Sequence, residues 1–291
     1  MKKYLIMFMA FCLVVLAVPD IHKMLPAGLR SAGPDIPIRS KERRYAVECI
    51  CEGEQITMPL EEYVCRVLMQ EGYAGLPSEA LKALACVVRT RVLAGNAMPL
   101  NSSSAALLPD AEAAAAATEN LYIAYGGEPI DAKTHASSRG RTASAGEAYG
   151  EEIPYLKSVE TPEDAPVSEK RFTAAEMARI LNANGFQCDA TLRLNSWLTY
   201  VSRSASGRIR AVWLCGNQIG GAELARMLGF DSADMEISTV DGGFEIRCFG
   251  SGDGVGLSVL GACAMAESGA SFNEILLHFF AGTDIMLNND R

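Results

Sequence analysis

Hydrophobic residues recur at two different spacings after residue 44, and the two spacings predict a chain that mixes helices with strands. In segment 78–95, Leu81, Leu84, Val88 and Val92 follow the 3.6-residue period of a helix that buries one face. In other segments apolar and polar residues alternate, which is the period of a strand.

These patterns, together with turn and cap signals, define a series of elements. Helices are expected over residues 60–72, 78–95, 110–120, 173–185 and 222–228, and two more close the chain. Strands are expected over residues 45–51, 121–125, 129–135, 197–202, 209–215, 235–240 and 244–249. Ser78 and Asp110 are predicted N-caps, and Thr173 and Ser271 begin predicted capping boxes. The prediction is an α+β fold, a single domain over residues 45–291 with a helical hairpin and mostly antiparallel strands.

The first 44 residues have a different composition and predict a membrane attachment. Lys2 and Lys3 precede the uncharged segment 4–18, so residues 1–19 read as a membrane anchor or a signal segment. We favour an uncleaved single-pass anchor, because a signal-peptide cut would fall inside the apolar run. Residues 20–44 are rich in proline and predict an extended linker. The folded domain is then expected on the extracytoplasmic side of the cell membrane.

Composition narrows the possible functions. With 49% hydrophobic and 21% charged residues, the chain can bury a sizeable core, which excludes disorder for most of its length. The formal net charge is −9, and Lys and Arg do not cluster with aromatic residues after residue 45. These two features argue against a nucleic-acid partner.

The nine cysteines and three histidines show no metal-ligand or disulfide pattern. Cys49 and Cys51 are separated by one residue, and the others are scattered singly among mostly apolar neighbours. Such cysteines are typical of small buried hydrophobic residues, so we predict reduced thiols and no bound metal.

The first predicted helix carries a carboxylate where its apolar face would continue with an aliphatic side chain. Leu60, Val64 and Leu68 occupy that face, and the next position along it is Glu71. Burial there would favour the protonated carboxyl group that a general acid needs near neutral pH. The alternative is that the helix frays before Gly72 and that Glu71 points into water.

Three other polar features have structural explanations that compete with functional ones. Glu61 and Glu62 lie in the first helical turn, where the helix dipole stabilises them. The glycine-rich segment 250–256 has no nucleotide-binding spacing, so its backbone is expected to pack closely against either a core neighbour or a polymeric ligand. The hydroxyl-rich loop 135–142 is either a solvated turn or a ligand contact.

Several motifs occur in the order found in the stage II sporulation protein D family, and the chain resembles that family from residue 45 to residue 287. Leu60 to Val64 and Glu71 resemble L-E-E-Y-x-x-x-V-x-x-E-M, and residues 79–90 resemble E-A-L-K-A-Q-A-x-A-A-R-T. The loop 135–142 resembles H-S-T-S-G-G-K-T and is followed by P-Y-L-K-S-V, and residues 250–262 resemble G-x-G-H-G-V-G-M-S-Q-W-G-A.

The resemblance implies a lytic transglycosylase that cleaves the bond between N-acetylmuramic acid and N-acetylglucosamine in denuded peptidoglycan during forespore engulfment. It places the catalytic acid and base on Glu71. The attacking group is the 6-hydroxyl of the muramyl sugar, so one carboxyl group suffices and 1,6-anhydro ends result. The further residues expected to contact substrate are Arg89, His135, Ser137, Ser138, Thr142, Asp253 and Ser258. For His135, ordering of the loop and contact with substrate are both possible.

The chain departs from the family pattern at several positions. Asp253 replaces the histidine of the glycine motif, Val259 replaces a glutamine, and Arg139 replaces a glycine. Some members bind zinc through cysteines after the loop histidine, but residues 136–146 contain none, so neither zinc nor another cofactor is expected. The alternative function is a non-catalytic peptidoglycan-binding module, like relatives described as amidase enhancers.

The resemblance also implies partners. A sporulation peptidoglycan amidase would remove the stem peptides and so generate the substrate. A membrane scaffold protein would localise both enzymes.

Overall fold

Residues 45–191 and 193–288 are described by a computed structural model, and the expected anchor (1–19) and linker (20–44) lie outside them. The helices are α1 (Leu60–Gln70), α2 (Ser78–Leu93), α3 (Pro109–Ala117), α4 (Ala145–Tyr149), α5 (Ala174–Ala183), α6 (Gly221–Leu228), α7 (Val259–Glu267) and α8 (Phe272–Phe279). The strands are β1 (Ala46–Cys51), β2 (Glu54–Pro59), β3 (Leu121–Tyr125), β4 (Glu128–Pro129), β5 (Thr134–His135), β6 (Val167–Thr173), β7 (Leu198–Arg203), β8 (Ile209–Leu214), β9 (Asn217–Gly220), β10 (Met235–Val240), β11 (Gly243–Phe249), β12 (Leu257–Ser258) and β13 (Asp284–Leu287).

The strands form small sheets, and almost all pairs are antiparallel. Within the described residues the sheet orders are β1-β2, β13-β3-β4, β10-β11-β6 and β7-β8-β9, together with the pair β12-β5. Among the strands of the described ranges, β5 and β12 are the one parallel pair, with Thr134 opposite Leu257 and His135 opposite Ser258. The predicted α+β class with mostly antiparallel pairing is confirmed.

The first hydrophobic core surrounds α2. Leu81, Leu84, Val87 and Val88 are all buried, and together they cover most sides of this helix. A helix that is apolar nearly all round belongs in the centre of a domain. Accordingly, α2 contacts α1, α3, β3, α7 and α8, and the site described below lies where these elements meet the loop before β12.

A second core is built from the segment between β5 and β12. Trp197, Met177, Leu181 and Phe244 are fully buried there, and they are separate from the side chains around α2. This core joins α5 and α6 to the sheets β7-β8-β9 and β10-β11-β6. The single domain expected from the sequence therefore contains two hydrophobic cores among its described residues.

Capping signals in the sequence correspond to observed helix starts. Thr173 with Glu176 and Ser271 with Glu274 form capping boxes at the N-termini of α5 and α8. In each box the hydroxyl accepts from the backbone of the third helical residue, and the glutamate accepts from the backbone of the cap.

Three expectations about element ends are wrong. Segment 129–135 is not one strand, because β4 pairs with β3 whereas β5 pairs with β12. Ser78 and Asp110 are helical residues rather than caps, since Pro77 and Leu108 hold the cap positions. The described chain does not finish in helices, because β13 follows α8 and pairs with β3.

The prediction that all cysteines are reduced is wrong for one pair. Cys188 and Cys215 form a disulfide across 27 residues of the second core. Cys65 and Cys86 are free and buried, and burial raises the pKa of each thiol to about 11. The remaining described cysteines, all free and buried, are Cys49, Cys51, Cys248 and Cys263. Cys12 lies outside the described residues.

None of the helices in the described ranges combines the length and the apolar character needed to cross a bilayer.

Candidate functional site

Glu71 lies at the C-terminal end of α1, at the edge of an open cleft of about 490 Å³. The helix ends there because Glu71 is its C-cap and Gly72 adopts a φ of +73°, which an L-residue rarely adopts. The Glu71 side chain is exposed. The expected burial on the apolar face is therefore wrong, and the alternative, that the helix stops before Gly72 and releases Glu71 to solvent, is the one observed.

The cleft brings together residues that are distant in the sequence. Its other lining residues include Tyr73, Thr134, His135, Ser137, Ser251 and Leu260. Among the described residues that line it, Glu71 is the only carboxylate. The wall opposite the end of α1 is thus made of hydroxyl, imidazole and apolar groups.

Tyr73 and Arg91 were not singled out from the sequence, and both support this wall. Arg91 donates from Nη2 to Thr134 Oγ1 at 2.6 Å and from Nε to the Ala132 carbonyl at 2.7 Å, which fixes the chain leading into β5. Burial raises the pKa of Tyr73, and the negative charge of Glu71 raises it further. Tyr73 therefore keeps its phenolic proton beside Glu71.

His135 is 5% exposed, and both of its ring nitrogens are engaged within the protein. Nδ1 lies 3.2 Å from the Val255 carbonyl, which can only accept, so Nδ1 carries the proton and donates. Nε2 then accepts from the Ser138 hydroxyl at 2.6 Å. Burial, reinforced by the nearby Arg208 charge, lowers the pKa of His135 to about 4. The imidazole is neutral at pH 7 and orders the loop.

Arg208 connects this loop to the second core. Its Nη2 donates to Ser138 Oγ at 2.8 Å, and its Nη1 donates to the Arg141 carbonyl at 3.3 Å. Because the Ser138 hydroxyl accepts from Arg208, its own proton is directed to His135. The Arg208–Ser138–His135 chain therefore fixes the tautomer of the histidine that lines the cleft.

Glu163 is a second buried anchor that sequence reasoning missed. Its carboxylate accepts from the Ser138 backbone N–H at 2.8 Å, from the Ser258 hydroxyl at 2.6 Å and from the Thr161 hydroxyl. Ser258 is also the N-cap of α7 and accepts from the Gly261 N–H at 3.2 Å. One carboxylate thus joins the loop, β12 and α7, and no motif near residue 163 signals it.

Ser137 combines burial with an unused hydroxyl. Its backbone pairs with Ser251 through N–H···O bonds of 3.2 and 3.1 Å, which places both residues in the cleft wall. Its Oγ is buried and has no hydrogen-bond partner among the described residues. A buried hydroxyl without a partner is unusual, so a cleft ligand could supply the missing hydrogen bond.

The structure does not bring Arg89 to the cleft. Arg89 is fully buried, and its Nη2 and Nε donate to the Glu61 carboxylate at 2.6 and 2.8 Å. It also donates to the Leu121 carbonyl at 2.9 Å. The expected substrate contact is corrected to a link between α1, α2 and the start of β3. Glu61 therefore has a second role besides its favourable position at the helix N-terminus, because its carboxylate neutralises the buried Arg89 guanidinium.

Ser138, Thr142 and Ser258 are buried as well, and their hydroxyls bind the protein rather than the cleft. Thr142 Oγ1 accepts from the Val159 N–H at 2.9 Å. The expectation that these three hydroxyls line the groove is therefore corrected, because each one fastens the loop to a neighbouring segment.

Asp253 faces a different cavity. It accepts from the Tyr149 hydroxyl and from the Val255 N–H, the latter at 3.0 Å. With Glu147 and Arg208 it lines a cavity of about 620 Å³. The expected position in the groove beside Glu71 is corrected accordingly, although Ser251, two residues away, does reach the cleft.

The glycines of segment 250–256 pack against the protein itself. A Cβ on Gly252, whose φ is +97°, would lie 2.7 Å from His135 Cβ, and one on Gly256 would lie 2.2 Å from the Lys133 carbonyl oxygen. Of the two explanations for this segment, close packing against a core neighbour is the one observed.

No three histidine, cysteine, aspartate or glutamate side chains in ranges 45–191 and 193–288 are placed to hold a metal ion together.

Comparisons with known proteins agree with the motifs. Residues 53–148, which include Glu71, His135 and Ser137, match the family model of stage II sporulation protein. Stage II sporulation protein D of Bacillus amyloliquefaciens is 26% identical, over 98% of this chain and 96% of that protein. Stage II sporulation protein D of Bacillus subtilis is 28% identical, over 78% and 74%, and an uncharacterised protein of Brachyspira hyodysenteriae is 27% identical, over 78% and 66%. The resemblance stated from the sequence is confirmed: residues 53–148 match the stage II sporulation protein model, and the chain is similar over most of its length to stage II sporulation protein D.

Proposed function

We propose that this protein is a lytic transglycosylase that cleaves the glycan strands of peptidoglycan during sporulation. The observation that carries the proposal is the cleft with a single carboxylate, Glu71, facing a wall formed by His135, Ser137 and Ser251. One carboxylate is what an intramolecular cleavage requires, whereas ordinary glycosidases flank the bond with two.

In the proposed reaction Glu71, in its protonated form, donates its proton to the glycosidic oxygen between N-acetylmuramic acid and N-acetylglucosamine. The Glu71 carboxylate then removes the proton of the muramyl 6-hydroxyl, whose oxygen forms the bond to C1. The leaving sugar departs with a free 4-hydroxyl, and the muramyl ring closes as a 1,6-anhydro sugar. The balance needs neither water nor a second protein carboxylate.

The cleft wall supports this chemistry by positioning. Neutral His135 cannot act as the acid near pH 7, because its pKa is lowered to about 4. Its role in the proposal is to present a rigid surface, since its two nitrogens are used by Val255 and Ser138. Ser137 Oγ, which lacks a partner among the described residues, would donate to or accept from a sugar hydroxyl or acetamido group.

The exposure of Glu71 bears on the alternative, a non-catalytic glycan-binding module. Because the Glu71 side chain is exposed, acid catalysis by it requires a bound strand that excludes water from the cleft. The two functions give different products. A catalytic protein releases anhydro-muramyl fragments from denuded strands, whereas a binding module retains strands without shortening them.

Mass spectrometry of denuded peptidoglycan after incubation with the protein tests the proposal. Glu71→Gln removes the titratable proton at nearly unchanged shape, and Glu62→Gln is the matched control on the same helix. Glu62 pairs with Arg66 at 2.6 Å, on a turn remote from the cleft. Release of anhydro-sugars by the unaltered chain and by Glu62→Gln, but not by Glu71→Gln, supports the proposal.

We further propose that the protein works at the extracytoplasmic face of the cell membrane, beside a peptidoglycan amidase and a membrane scaffold protein. The apolar segment 4–18 and the family resemblance support this. Co-purification from sporulating cells, with membrane and soluble fractions compared, tests it. Recovery in a soluble cytoplasmic fraction would contradict it.

A further inference from the structure

The outer face of sheet β7-β8-β9 displays two aromatic side chains side by side. Tyr200 and Trp213 are directly paired across β7 and β8, and they are 60% and 38% exposed. Trp213 is in turn paired with Gln218 on β9. Neighbouring residues on adjacent strands point to the same side, so the three side chains form one row across the sheet.

The next row along the same face is made of small residues. Ser202, Ala211 and Gly220 are paired with one another across the three strands. Small side chains there leave a shelf beside the aromatic row. The two rows, Tyr200, Trp213, Gln218, Ser202, Ala211 and Gly220, are called the aromatic face below.

The opposite side of this sheet already has its partner. Val212, Leu214 and Ile219 are buried in the second core, and alternation along a strand places their neighbours on the outer side. Exposed tyrosine and tryptophan are not required by that core. Contiguous exposed apolar surface is typical of interaction sites, whereas single exposed apolar residues are ordinary.

Charge at the aromatic face fits one kind of ligand. None of its six residues is charged, although 21% of the chain is. Arg210 lies at the bulge beside the shelf, between the pairs Ser202–Ala211 and Arg203–Ile209. It is exposed and forms no ion pair within the described residues. An uncharged surface with a cation at its edge is complementary to a polysaccharide. The uncharged sugar rings would lie on the surface, and carboxylate substituents on the rings would bind the cation.

The aromatic face adjoins a cavity that shares a chain segment with the candidate site. Gly220 and Arg210 line the cavity of about 620 Å³, and so do Gly252 and Asp253. Ser251, the preceding residue, lines the cleft that contains Glu71. Segment 251–253 thus lies between the two cavities, and a polymer that crosses this segment from the cleft would reach the shelf and the aromatic row.

We propose that the aromatic face is an accessory binding surface for the glycan strand, on which pyranose rings stack against Tyr200 and Trp213 while Arg210 pairs with the lactyl carboxylate of a muramyl residue. The C–H bonds on the flat side of a pyranose are attracted to the electron-rich faces of aromatic rings. The Gln218 amide supplies hydrogen bonds to sugar hydroxyls at the end of the row. This inference rests on the proposed function for the identity of the ligand, but binding is measured separately from cleavage.

The test uses the fluorescence of the full chain, kept in solution with detergent and carrying Glu71→Gln so that strands are not cut. The sequence has two tryptophans, and Trp197 is fully buried, so acrylamide quenching reports on Trp213. Denuded glycan strands, prepared by amidase digestion, are titrated into the protein. Protection of Trp213 from acrylamide at saturation is the expected result, and unchanged quenching at saturation overturns the proposal.

Variants localise the effect. Tyr200→Ala with Trp213→Ala should weaken co-sedimentation with strands about tenfold. Tyr125→Ala removes an exposed tyrosine outside the face and should leave binding unchanged. Arg210→Gln should weaken binding of denuded strands but not of N-acetylglucosamine hexamers, which lack carboxylates. Unchanged co-sedimentation of the double variant overturns the proposal, and so does protection of Trp213 by neutral phospholipid vesicles in place of strands.

The result is distinguishable from a failure of the proposed function. If the unaltered chain binds strands through the aromatic face but releases no anhydro-sugar, the surface stands and the transglycosylase reaction is refuted. If anhydro-sugar is released while Trp213 stays open to acrylamide, the reaction stands and the accessory surface is refuted. If the Tyr200→Ala, Trp213→Ala variant folds poorly, acrylamide quenching of Trp213 in the Glu71→Gln chain still tests whether strands cover the aromatic face.

Discussion

Replacing Glu61 by glutamine should destabilise the protein far more than the same change at Glu62, although both glutamates lie in the first turn of α1. Glu61 holds the fully buried guanidinium of Arg89 through bonds of 2.6 and 2.8 Å. Glutamine would leave a buried cation without its counter-charge. Glu62 instead pairs with Arg66, four residues along the same helix, and the Glu62 and Arg66 side chains are 36% and 11% exposed.

Magnitudes separate the two cases. Removing one partner of a buried ion pair costs about 3–5 kcal/mol, and the 29% exposure of the Glu61 side chain places this pair near the lower end, at about 3 kcal/mol. The Glu62–Arg66 pair is only partly exposed, and a helical pair of this kind contributes about 0.2–1 kcal/mol. For a domain of this size, about 3 kcal/mol corresponds to a fall in Tm of roughly 6–12 °C.

Urea unfolding followed by circular dichroism, at constant pH and salt, measures both variants. The expected result is a large fall in the midpoint for Glu61→Gln, with a nearly unchanged midpoint for Glu62→Gln. Folded Glu61→Gln protein should keep its affinity for glycan strands, because Arg89 lies outside the cleft. Equal small effects of the two substitutions would refute the structural role given to Arg89, and lost strand binding with intact stability would restore it as a substrate contact.

Three further outcomes are expected. The pKa of His135 is lowered from an unfolded value near 6.5 to about 4, so the unfolded chain takes up the proton first and stability should fall as pH drops from 6.5 towards 4. Thermal unfolding across that range should show that stability falls less steeply with pH in His135→Gln than in the unaltered protein. Identical pH dependences of stability in the two proteins would argue against a buried neutral histidine. Reduction of the Cys188–Cys215 disulfide, which spans 27 residues, should cost roughly 3 kcal/mol. Thiol labelling should detect these two cysteines only after a reductant is added, and their labelling before reduction would contradict the disulfide. Gly252→Ala places a Cβ 2.7 Å from that of His135 at a φ of +97°, so it should lower stability by roughly 1–3 kcal/mol and slow strand cleavage, with wild-type behaviour in both assays counting against the packing described.

The fold was predictable where local patterns decide it. The 3.6-residue period of α2 and the capping boxes at Thr173 and Ser271 each depend on residues within one or two turns, and the structure has these elements at nearly the predicted bounds. Antiparallel pairing of β10 with β11 likewise follows from two short alternating segments joined by a turn.

Long-range partners were less accessible from the sequence. The pairing of β5 with β12 joins residues more than 120 positions apart, and no local pattern separates it from a longer hairpin with β3. Cys188 and Cys215 lie among apolar neighbours like the free cysteines, so spacing did not reveal their disulfide. The second core was also not predictable from the sequence, because which side chains belong to it depends on contacts between segments far apart in the chain.

The candidate site shows the same division. Motif order led to Glu71, His135 and Ser137, which do line one cleft. The same motifs also contain Arg89 and Ser258, whose polar atoms are used in buried contacts. A motif does not distinguish residues that touch a ligand from residues that hold the motif in place. Glu163 and Arg208 act on the loop from distant segments, so no sequence window contains both the loop and its anchors.

The most direct test of the account is the mass spectrum of products released from denuded glycan strands by the unaltered chain and by Glu71→Gln. We expect 1,6-anhydro-muramyl fragments from the unaltered chain and none from Glu71→Gln, with both proteins unfolding at the same temperature. Anhydro-muramyl fragments from a folded Glu71→Gln protein, in the amount released by the unaltered chain, would contradict it.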